Sequence, residues 1–125
     1  MKQMVITILT SFLMAPGFAN ASDDISGIWL TQKQDSRIEI SRNSDGSYTG
    51  KIVWAQAPHQ SYVGMLVMKD VKYDPQNNTY TCPWIYDPRL DVTAHGQMTI
   101  SGDTLNVKAS KGILTKDEIF TRVEK

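Results

Sequence analysis

The sequence predicts an all-β protein, a small antiparallel meander closed or nearly closed into a β-barrel, on three observations. Apolar residues recur at a spacing of two, as in Ile38 and Ile40, Ile52 and Trp54, Leu105 and Val107, with no sustained run at helical spacing. Turn residues punctuate the chain at short intervals, among them Asn43-Ser44-Asp45-Gly46, Asp74-Pro75-Gln76-Asn77-Asn78 and Ser101-Gly102-Asp103. Roughly eight strands joined mostly as hairpins must hide their edges, and closing into a barrel does so.

The first residues stand apart from that pattern. Lys2 precedes an apolar stretch from Met4 to Met14, and Ala19-Asn20-Ala21 supplies a small-x-small site, which together predict a secretory signal cleaved after Ala21. The stretch falls short of the roughly 20 residues needed to cross a bilayer, and Pro16-Gly17 interrupts it. Residues 1–21 are therefore expected to be removed, leaving 22–125 as a single barrel domain exported to the periplasm or the medium, without a membrane span. Loss of Lys2 leaves 12 basic and 13 acidic side chains. Such a balance gives no overall electrostatic argument for nucleic acid or anionic lipid.

The first strand carries Gly27-Ile28-Trp29. In Ser36 to Arg42 the alternation sets Ile38 and Ile40 on one face and Arg37, Glu39 and Ser41 on the other. After the turn at 43–46, Ser47 to Gln56 places Tyr48, Gly50, Ile52 and Trp54 together, with Gly50 marking a bend or bulge. Ala57 to Ser61 reads as a loop. Val63 to Tyr73 fits either a strand with a slip or a helical turn leading into one. From Thr79 the chain extends through Tyr80, Cys82, Trp84 and Tyr86 on one face, and Pro83 marks an edge or bulge because it lacks a backbone donor. Shorter strands are expected at Arg89 to Ala94, Gln97 to Ile100 and Thr104 to Ala109. The last runs from Ile113 to Val123, with Asp117-Glu118 as a candidate interruption.

Closure makes the first and last strands neighbours, which brings Arg122 to Trp29. A guanidinium over the indole contributes about 0.5–2 kcal/mol, depending on how well water is excluded, and Gly27 lets the backbone pass close to the ring. Gly27, Trp29 and Arg122 are accordingly read as structural. This Gly-x-Trp with a late arginine resembles the calycin superfamily, which includes lipocalins and fatty-acid-binding proteins. The ordered elements Gly27-Ile28-Trp29-Leu30, Gly50-Lys51-Ile52-Val53-Trp54, Trp84-Ile85-Tyr86-Asp87-Pro88 and Phe120-Thr121-Arg122-Val123 further resemble domain of unknown function 2147, a family of small exported bacterial proteins. That resemblance implies the fold and supplies no activity.

No catalytic constellation is legible, so the chain reads as a non-enzyme. The single thiol, Cys82, and the two histidines, His59 and His95, carry no nucleophile motif. They also fit no structural zinc spacing, no calcium loop or phosphate loop occurs, and no cofactor is implied. Cys82 has no partner for an internal disulfide and reads as a small buried hydrophobe.

The aromatic residues suggest binding. Tyr48, Trp54, Trp84 and Tyr86 are the expected ligand-binding residues, with phenols or Lys51 as polar anchors around a small hydrophobic or amphipathic molecule. This reading expects an interior cavity of about 300 Å³ or more. The alternative is a protein-interaction module of the bacterial envelope, an inhibitor or assembly factor acting through loops around Ala57–Tyr62 and Tyr86–Leu90.

Overall fold

Eight antiparallel strands close on themselves in the computed structural model, which describes residues 24–125. They are β1 (Gly27–Leu30), β2 (Ser36–Arg42), β3 (Tyr48–Ala55), β4 (Leu66–Asp74), β5 (Thr79–Asp87), β6 (Val92–Ser101), β7 (Thr104–Lys111) and β8 (Leu114–Glu124). Each pairs with the next in sequence, and β8 returns to pair with β1, so the ring has no free edge and the predicted all-β barrel is the fold. The predicted signal and its cleavage site lie outside the described residues.

Several elements differ from their sequence reading, each for a local reason. The segment at 63–73 combines both options: a 3-10 turn, Gln60–Tyr62, precedes β4, and the strand slips twice. One extra residue at Val67 puts it and Met68 both inside, and a second sits near Asp70, whose φ is +56°. The bulges opposite Gly50 thus lie on β4. His95-Gly96 does not divide β6, because Gly96 lets β7 approach closely; a Cβ there would run into the Lys108 carbonyl. Asp117-Glu118 does not interrupt β8 either, and the two residues pair opposite Lys108 and Val107.

The two ends of the barrel are unlike. At one end, Ile25, Trp29, Ile40, Tyr48, Val71, Tyr80, Met98 and Leu105 fill the interior. The segment Asp24–Ser26 runs across this end, with Ile25 fully buried. At the other end the inward positions shrink to Ala55, Ala94 and Ala109, and packing gives way to space. Side-chain volume along the inner face therefore decides which end is solid.

Candidate functional site

The solid end is fixed by the seam between β1 and β8. Trp29 and Arg122 are direct cross-strand partners, and the guanidinium carbon lies 4.4 Å from the indole centroid. Arg122 Nη1 donates to the Ser26 carbonyl at 2.6 Å and Nη2 to the Asp24 carbonyl at 3.0 Å, while Nε faces Asp103 Oδ1 at 3.3 Å. Trp29 Nε1 donates to the Ile25 carbonyl at 2.9 Å. Gly27 has φ +136°, and a Cβ there would lie 2.6 Å from the Glu124 carbonyl oxygen, so no other residue fits without a shift.

Beyond this floor lies a cavity of about 410 Å³ that opens at the opposite end. Its wall is mostly apolar, contributed by Ile38, Ile52, Val67, Ile85, Val107 and Phe120. It is long-range in origin, since these residues come from β2, β3, β4, β5, β7 and β8.

Polar groups gather at the rim. Arg89, in the turn between β5 and β6, pairs with Asp87 at 3.3 Å and with Asp35, between β1 and β2, at 3.1 Å. Those two hairpins stand on opposite sides of an eight-strand ring, so the Arg89–Asp35 pair spans the mouth. Burial opposes the Arg89 charge, and the hydrogen bonds and charges of Asp87 and Asp35 outweigh it, holding the pKa up. Lys116 and Glu118 line the cavity on β8, and His59, stacked on Tyr62 at 5.0 Å, lines it from the connection between β3 and β4. The arrangement can hold an apolar body inside with a polar group at the mouth.

The expected quartet of aromatic residues is not brought together. Tyr48 is buried at the solid end, edge-on to Tyr80 at 5.7 Å, and burial raises the pKa of both phenols. Trp54 is 42% exposed, with Arg37 over its ring at 5.5 Å. The extra residue Val53, unmatched between the Arg37–Trp54 and Ile38–Ile52 pairs, reverses the parity of β3 and turns Trp54 outward. A second bulge, between Cys82 and Ile85, does the same on β5: Ile85 takes the inner position, and Trp84 packs under Lys69 Nζ at 4.4 Å. Tyr86 stacks on Trp84 at 5.8 Å, touches the cavity rim, and donates its hydroxyl to Asp91. Lys51 is exposed.

The wall residues Ile85, Ala94, Ala109 and Glu118 and the rim residue Arg89 were not singled out from sequence. Small residues at inward parity on adjacent strands, Ala94 and Ala109, were the available signal. Of the remaining chemistry-bearing residues, Asp70, Cys82 and His95 line a second pocket together with Lys72 and Lys108. Cys82 is buried with Sγ directed at the Trp84 carbonyl, and burial pushes its thiol up to about 11. Among the described residues no three or more His, Cys, Asp or Glu side chains come together as a metal site.

A family model described as "Uncharacterized protein conserved in bacteria (DUF2147)" matches residues 27–122. No curated protein and no solved structure matches the chain.

Proposed function

From the premise that the chain belongs to this uncharacterised bacterial family, we propose that it binds a small hydrophobic or amphipathic molecule in the open half of the barrel, without transforming it. The observation that carries this reading is the cavity of about 410 Å³ with its apolar wall. Ligand pockets of about 300–1,000 Å³ with apolar linings and a few placed polar groups are the common kind. Here the placed groups are Arg89, Asp35, Lys116 and Glu118 at or near the mouth, which favours an amphipathic ligand with its head outward. A catalytic role finds less support, because burial holds the Cys82 thiol protonated, even though His95 lines the same pocket as Cys82. The leader-like residues 1–21 support action outside the cytoplasm.

The test is native mass spectrometry of the purified protein together with titration of an apolar fluorophore. Binding is expected in the parent and in Trp54→Ala, which alters only the outer wall. It should be lost in Ala109→Phe, which fills the lumen. Equal binding by Ala109→Phe overturns the lumen as the site. Absence of binding by every form turns attention to the second reading, an interaction module, which the exposed Leu90, Ile113 and Leu114 favour.

A further inference from the structure

We propose that the lumen selects a zwitterionic amphiphile, an apolar chain bearing an ammonium and an acid group a few atoms apart, recognised together by Glu118 and Lys116. This inference rests on the reading of the lumen as a binding site and names the class of molecule it takes.

Six formally charged side chains line the cavity, three of each sign: Asp35, Asp87 and Glu118 against Arg89, Lys111 and Lys116. Net charge therefore does not select a ligand, and the choice falls to the groups left unpaired. Arg89 holds both Asp35 and Asp87, and Asp35 accepts as well from the Thr31 hydroxyl. Lys111 Nζ donates to the Thr93 carbonyl at 3.0 Å. His59 is stacked on Tyr62. Glu118 and Lys116 remain, and neither takes part in a hydrogen bond or ion pair among the described residues. The charge of Glu118 is felt at Arg89 through space, without contact.

Their placement follows from the pairing of β7 with β8. Inward parity on β8 runs through Leu114, Lys116, Glu118 and Phe120, and the residues across from the two charges are Ala109 and Val107. Those neighbours are apolar and offer no partner. Lys116 and Glu118 stand two residues apart on one face of an extended strand, so their backbones are about 7 Å apart. Glu118 is half-buried next to the buried Phe120, whereas Lys116, nearer the mouth, is exposed. A carboxylate in an apolar wall favours a cationic donor, and the ammonium beside it an anionic acceptor. A molecule with one such group leaves the other charge facing its apolar chain, which costs binding. One that carries both satisfies the two side chains while its chain lies against Ile38, Ile52 and Val67.

Competition against a neutral apolar fluorophore, N-phenyl-1-naphthylamine, tests this on the whole protein near neutral pH. The competitors share a decyl chain: N-decylglycine carries both charges, decylamine the positive one, decanoic acid the negative one, and decanol neither. Each is scored against decanol in the same variant, which removes any effect of a substitution on the fit of the chain. In the parent, N-decylglycine should displace the fluorophore at about tenfold lower concentration than decylamine or decanoic acid. Glu118→Gln should bring N-decylglycine level with decanoic acid, and Lys116→Gln should bring it level with decylamine. Thermal unfolding confirms that each variant folds. A singly charged competitor that matches N-decylglycine in the parent overturns the proposal, as does a ranking that either substitution leaves unchanged. Both results leave lumen binding standing. A fluorophore that the parent does not bind, or that Ala109→Phe still binds, overturns the lumen reading and this inference with it.

Discussion

Arg122 satisfies three kinds of partner with one nearly buried side chain: the face of Trp29, two backbone carbonyls and the Asp103 carboxylate. A lysine keeps the charge but has one nitrogen and no plane. Arg122→Lys is therefore expected to lower the unfolding free energy by about 1–3 kcal/mol, through carbonyls left unpaired, and Arg122→Ala by more. Urea denaturation measures this, and an unchanged midpoint in both variants removes the seam as a source of stability. Cys82 makes a prediction of opposite character. Its thiol holds a proton in the fold up to about pH 11, against an ordinary value of 9.0. The unfolded chain releases that proton first, so stability is complete below pH 9 and falls as pH rises toward 11, by about 1.4 kcal/mol per pH unit for one proton. Tyr48 and Tyr80, with pKa values raised from 10.0, add to the fall from pH 10 upward. Urea midpoints across this range should drop, and Cys82→Ala should flatten the first part of the drop.

At the scale of elements, bulges decided what sequence could convey. Alternation identified β2 and most of β3 correctly, yet a single unmatched residue at Val53 sends Trp54 outward, and another beyond Cys82 sends Trp84 the same way. Pro83 did announce irregularity in β5, but a bulge at Val53 has no signature in residue type, and parity is lost once it is passed. The rim is likewise an affair of elements. The Arg89–Asp35 pair links hairpins that share no strand, a contact 54 residues long in sequence. Because the pair is partly solvated, Arg89→Gln should change stability by no more than about 1 kcal/mol. It should nonetheless speed escape of an apolar probe from the lumen, read as a faster dissociation phase in stopped-flow fluorescence. An unchanged rate would show that the mouth is not held by this pair.

For the whole molecule, closure was legible because many short strands with no covering helix leave few other ways to protect edges. The cavity was not legible to the same degree. A barrel of eight strands is wide enough to be filled or to hold a small ligand, and the outcome here depends on Trp29, Ile40 and Met98 meeting at one end while Ala55, Ala94 and Ala109 meet at the other. Which inward residues share a level depends on stagger between distant strands, and that stagger is set by the bulges. The pairing of β8 with β1 has one more consequence. Lys125 passes beside Gly27 at the floor, so the first and last described segments lie together on the side away from the mouth. A ring assembled this way has no privileged first strand. Joining Lys125 to Asp24 through a short Gly-Ser linker and reopening the chain between Gln76 and Asn77, in an exposed turn at the same end, should yield a circular permutant. It is expected to fold to the same barrel and keep the parent's probe binding, as thermal unfolding and fluorophore titration would report. The order in which the strands are synthesised is then a matter of history, and the cylinder itself is indifferent to it.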